Sequence, residues 1–144
     1  MDTVSAERRS WLMSLVKSKD TEPERFVRHI VSALGYRYRL HGRNLPGRPD
    51  LVFAGRRSAI FVHGCFWHQH ENCIRSRRPK GHAAYWNAKL DRNLQRDCQN
   101  ARELKRLGWR VLTIWECELK QPDAVSARIT RFLSGKQERG AEEY

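Results

Sequence analysis

The sequence predicts an α/β or α+β sandwich, a small mixed β-sheet flanked by helices. Three observations carry that expectation. Apolar residues recur at helical spacing in four segments. Runs rich in β-branched and aromatic residues are short and bounded by turn residues, and one of them directly follows a long helix. A chain of 144 residues suits one such domain, 1–144, with a single active site.

In chain order, Trp11, Leu12, Leu15 and Val16 among Arg8, Arg9 and Lys17 mark residues 5–18 as a basic amphipathic helix within the N-terminal segment 1–18. Thr21, Glu22, Pro23 and Glu24 combine a capping-box pair with an early proline. The stripe Phe26, Val27, Ile30, Val31 and Leu34 then runs to Gly35, predicting a second helix. Residues 36–40 read as a short strand and residues 41–49, with Gly42, Pro46, Gly47 and Pro49, as an irregular turn. Residues 50–53 and 58–62 flank a tight turn and read as a hairpin. A cysteine, histidine and aromatic segment, 63–73, leads through a basic loop, 75–82, into a long helix near 85–107 that Gly108 ends. Residues 109–115 form a further strand and 122–133 a last helix, while the polar tail 135–144 is expected to fray.

A formal net charge of +12 points to a polyanionic partner, nucleic acid foremost, because basic surfaces displace phosphate counterions. A basic ribosome-associated factor shares that charge and is not excluded by it. No stretch approaches the ~20 apolar residues of a membrane span, and the first residues lack a signal-peptide core, so a cytoplasmic protein is expected. Four cysteines in that setting read as reduced thiols or metal ligands.

Asp50 opens an apolar strand, where packing has no use for a carboxylate, and His63 ends the neighbouring strand, so antiparallel pairing brings the two together. A carboxylate-held Mg²⁺ would neutralise phosphoryl oxygens and help activate water, which makes Asp50 a candidate ligand. The alternative is a turn residue after Pro49. On the long helix, Trp86, Leu90, Leu94, Ala101 and Leu104 define an inward line on which Asp97 also falls. A carboxylate there needs a partner, either His68, oriented as a general base, or a surface arginine such as Arg92 or Arg96. Cys65, His70, Cys73 and Cys117 offer three thiolates and an imidazole for a closed structural Zn²⁺ site, against a reduced-cysteine core without metal. Cys98 competes for the fourth position, but a small buried thiol explains it at lower cost. Phe66, Trp67 and Trp86, beside arginines, suit wedging between bases or ordinary core packing.

Taken together, residues 21–24, 45–50, 61–68, 85–86 and 115–117 resemble, in order and spacing, the very-short-patch repair (Vsr) endonucleases, a likeness covering roughly residues 5–119. The resemblance implies a restriction-endonuclease-like core. It implies an enzyme that nicks one strand beside the thymine of a T:G mismatch, the product of 5-methylcytosine deamination. Double-stranded DNA would be its partner, with mismatch-repair proteins beside it, at the bacterial nucleoid. By that likeness Asp50 binds Mg²⁺ with the Val62 carbonyl, Glu24 and His63 hold waters around it, and His68 with Asp97 forms the general-base pair. The usual second acidic residue of this fold is absent where the chain has Phe61, Val62 and His63. A nick needs one active site, so a monomer is the simpler expectation. A restriction or homing-type nuclease and a non-catalytic zinc module that binds nucleic acid are the rival readings.

Overall fold

The computed structural model describes residues 21–135, so the expected helix at 5–18 and most of the tail lie outside the described residues. Helix α1, Glu22–Ala33, starts as its sequence dictates. The Thr21 hydroxyl accepts from the Glu24 N–H, and the Glu24 carboxylate accepts from the Thr21 N–H at 3.2 Å. It ends at Gly35, whose φ of 87° lets the Tyr36 N–H turn back to the Val31 carbonyl. That turn consumes residues expected to be strand, and β1 is only Arg39–Leu40.

Strands β2, Leu51–Phe53, and β3, Ser58–His63, form the expected antiparallel hairpin across a 3₁₀ turn at Ala54–Arg56. Helix α2, Ala83–Arg106, then crosses over to β4, Arg110–Trp115, which pairs parallel to β3. A 3₁₀ turn at Glu116–Lys120 leads to helix α3, Pro122–Leu133. The four strands lie in the order β1-β2-β3-β4, a mixed sheet as expected.

Alternation along the strands divides the residues between two faces. Leu51, Phe53, Ile60, Leu112 and Ile114 join Val27 and Val31 of α1 and Val125, Ile129 and Leu133 of α3 in one buried cluster. Phe61, His63, Thr113 and Trp115 belong to the opposite set by the same period of two. His63 is the cross-strand partner of Trp115 at the C-terminal ends of β3 and β4. Polar chemistry therefore collects at one end of the sheet, on the face turned from the apolar core. Gly47, at φ 75°, brings the 41–49 loop against α2, where a β-carbon would sit 3.0 Å from the Asn100 side chain. Among the described residues no helix is long and apolar enough to cross a membrane.

Candidate active site and metal centres

Two groups of potential ligands form at this end of the sheet. In the first, His63, His68 and Asp97 bring one ligand atom each to within 4.8 Å of one another. His68 Nδ1 lies 2.6 Å from Asp97 Oδ2, so the inward carboxylate of α2 takes the histidine rather than an arginine. With Nδ1–H donating to that carboxylate, Nε2 carries the lone pair and is free to accept a proton. The His63 ring stacks on His68 with centroids 3.7 Å apart and planes within 4°. Two imidazolium rings cannot share that spacing cheaply. Burial holds His63 well below the usual imidazole range, and His68 beside it lowers it further. His63 is only 7% exposed, and its Nδ1 has no hydrogen-bond partner among the described residues. These groups line a cleft of about 480 Å³ that also touches Leu94, Cys98 and Trp115.

Asp50 stands outside that triad. It lies just before β2, half-buried, and its Oδ2 accepts from the Val62 N–H at 2.6 Å. Burial pushes its carboxyl up to about 8, the Val62 N–H pulls it down, and the charge and a hydrogen bond of Glu24 raise it again. Glu24 is 2% exposed, and its Oε1 lies 2.9 Å from His41 Nε2 and 3.2 Å from Arg28 Nη2. The cap is thus only part of what Glu24 does. Arg28 already gives Glu24 a positive partner and its charge lowers Asp50 as well, yet Asp50 stays raised. Two carboxylates beside a main-chain carbonyl are a hard oxygen donor set of the kind a divalent ion such as Mg²⁺ takes. The Val62 carbonyl oxygen is three covalent bonds from the nitrogen that already meets Asp50.

The second group is Cys65, His70, Cys73 and Cys117, again within 4.8 Å of one another. His70 Nδ1 is 3.7 Å from Cys65 Sγ and 3.4 Å from Cys117 Sγ. A tetrahedral zinc with ordinary bond lengths separates nitrogen from sulfur by ~3.6 Å, so these two distances and the donor chemistry fit that ion. Burial pushes the Cys65 thiol up to about 12 and raises Cys117 as well. For Cys73 burial also pushes upward, but hydrogen bonds from the Arg75 backbone, Cys65 and Cys117 outweigh it and hold the thiol low. Thiols so placed ionise together only around a cation. Trp115 links the two groups, stacking on His70 at 4.2 Å and meeting the edge of His63 at 5.2 Å.

Cys98 takes no part in either group and is exposed, which corrects the expectation of a buried thiol. The reason is helical rotation: one residue past Asp97 is ~100° around α2. Trp86 is 6% exposed and packs edge to face against Phe66, so for this residue the packing alternative is realised. Phe66 and Trp67 remain half-exposed on top of it. Sequence reasoning missed Arg28 and His41. Arg28 was legible as the i+4 partner of Glu24; His41, 17 residues away in an irregular loop, carried no periodic signal.

A protein-family model described as DNA mismatch endonuclease Vsr matches residues 1–75. The chain belongs to the Vsr family. It is 46% identical over 132 residues to the type II nicking enzyme V.XorIIP of Xanthomonas oryzae pv. oryzae, spanning 92% of this chain and 96% of the relative. With the DNA mismatch endonuclease Vsr of Escherichia coli it shares 35% identity over 133 residues, 89% of this chain and 85% of that protein. Among solved structures, the catalytic domain of the homing endonuclease I-Bth0305I matches with a TM-score of 0.55 and 26% identity, covering 78% of this chain and 94% of that one. The Vsr likeness read from the motifs thus extends over nearly the whole chain, and the nuclease fold accounts for the mixed sheet with its polar end.

Proposed function

We propose that this Vsr-family chain nicks the phosphodiester 5′ to the thymine of a T:G mismatch in duplex DNA, initiating very-short-patch repair. The observation that carries the reading is the 2.6 Å His68–Asp97 pair lining a cleft, with the half-exposed Trp67 next to His68 in the chain. Relatives described as nicking and mismatch endonucleases support it.

In this reading Asp50 and the Val62 carbonyl would hold Mg²⁺, and Glu24 and His63 would act on the waters around it. A cation bound there supplies charge neutralisation at the scissile phosphate. His68 Nε2 takes a proton from a water whose oxygen attacks phosphorus, the bond from phosphorus to the preceding 3′ oxygen breaks, and that oxygen gains a proton from solvent. Asp97 keeps His68 in the required tautomer. Phe66 and Trp67 wedge into the duplex, Trp86 backing them, and the unstacking cost is lowest at a weakened pair, which favours mismatches. Cys65, His70, Cys73 and Cys117 would hold a structural Zn²⁺, which would fix the loop bearing His68. One nick requires one site, so a monomer suffices for the reaction.

The likeness to a homing endonuclease domain favours a second reading, cleavage of both strands of intact DNA. A strand-resolved assay over all mismatches, with and without flanking cytosine methylation and with Mg²⁺ or chelator, separates the two. Our reading requires a single Mg²⁺-dependent nick in the thymine strand of T:G duplexes; double-strand cuts in matched DNA would replace it with the second.

A further inference from the structure

We propose that His41 is a positioning residue that fixes the Glu24 carboxylate beside Asp50, giving the cation site a second, immobile acceptor. The inference rests on the reading of Asp50 as the cation ligand. Glu24 belongs to the first turn of α1, whereas Asp50 precedes β2, and neither element dictates where the other's carboxylate lies. His41 touches both sides. Its main-chain N–H donates to the Asp50 carbonyl at 3.1 Å, and its Nε2 lies 2.9 Å from Glu24 Oε1.

The tautomer follows from the neighbours. Arg28 Nη2 lies 3.3 Å from the same Nε2 and 3.2 Å from Glu24 Oε1. A guanidinium only donates and a carboxylate only accepts, so the shorter, charge-assisted contact assigns the proton to Nε2, and His41 and Arg28 both donate to Oε1. Thr21 is sufficient for the capping box, and Arg28 is the helix's own i+4 neighbour. The His41 contact adds nothing to the cap. It ties the carboxylate across to the Asp50 segment. His41 also holds a left-handed backbone, φ 51°, a conformation that histidine and asparagine adopt more readily than most side chains.

The test is a Mn²⁺ titration, followed by the electron paramagnetic resonance of the free ion, on protein first saturated with one equivalent of zinc. His41→Asn tolerates the left-handed backbone but is too short to reach Glu24; His41→Gln restores a donor near the position of Nε2; Asp50→Asn removes the ligand. We expect Asp50→Asn to lose Mn²⁺ binding, His41→Asn to weaken it roughly tenfold in protein that still unfolds in one cooperative transition above the assay temperature, and His41→Gln to recover most of the loss. The half-saturating Mg²⁺ for nicking should rise in step for His41→Asn, while duplex affinity measured in Ca²⁺ stays at the parent value. Parent-like Mn²⁺ affinity in His41→Asn, or no recovery in His41→Gln, would overturn the role of His41 while leaving Asp50 intact. Parent-like affinity in Asp50→Asn would instead remove the reading on which it rests.

Discussion

Replacing Asp97 with asparagine tests the proposed chemistry at its most exposed joint. The wild-type carboxylate sits 2.6 Å from His68 Nδ1, and the two side chains are 24% and 30% exposed. Asparagine keeps the shape, but its amide can present an N–H to Nδ1, which puts the ring proton on Nε2, the wrong nitrogen for a base. A hydrogen bond to a charged group contributes about 1.5–3 kcal/mol. At ~1.4 kcal/mol per decade, losing it in the transition state slows the chemical step by roughly 10- to 150-fold. Partial solvent exposure places the expectation toward the lower half of that range. The assay is single-turnover nicking of an end-labelled T:G duplex with enzyme in excess, alongside duplex affinity measured in Ca²⁺. Duplex affinity should hold steady. In the His68→Ala background the Asp97→Asn change should cost almost nothing further, because the two residues act as one unit. A variant that nicks at the parent rate, or an undiminished cost in the His68→Ala background, would show that Asp97 does not act through His68.

Three further outcomes follow from the same geometry. Because the folded state raises the Asp50 pKa from 3.8 to about 8, the metal-free protein binds more protons folded than unfolded between those values, and this group's contribution to stability falls as pH rises through that window. Thermal melts in chelator should therefore show Asp50→Asn gaining on the parent from pH 5 to 8, and saturating Mg²⁺ should cancel or reverse the difference; a pH-independent difference would contradict the burial argument. Cys117→Ser should reduce bound zinc from about one equivalent to near zero and lower the melting temperature, whereas Cys98→Ser should leave metal content unchanged, both read by atomic absorption. Trp86→Ala should cost about 3–5 kcal/mol in urea denaturation, as a buried indole does. Trp67→Ala should cost clearly less stability but slow nicking of mismatched duplexes, so equal stability losses would reject the division between support and wedge.

The local features of this chain were legible because their causes lie within a few residues. Thr21, Glu24 and Gly35 set both ends of α1, and the turn residues between 53 and 58 set the hairpin. The cysteine group was legible for a chemical reason: three thiols and an imidazole have few uses together, and Cys65, His70 and Cys73 are nearly contiguous. Whether Asp97 met His68 or an arginine was not legible, since the residues are 29 apart and α2 must first dock on the sheet. Trp86 was equally open, because an aromatic beside arginines reads the same whether buried or bare.

By itself, then, the sequence determined most of the described elements, the cap of α1, the donor chemistry and the family to which the motifs belong. Tertiary structure alone decided the partners. It stacked His63 on His68, kept Asp50 outside that pair while setting Glu24 near it, turned Cys98 outward and brought His41 to Glu24. The physical reason is that periodicity fixes which way a side chain faces along its own element, whereas distances between elements depend on strand register and helix docking. Those arise from packing the whole chain at once.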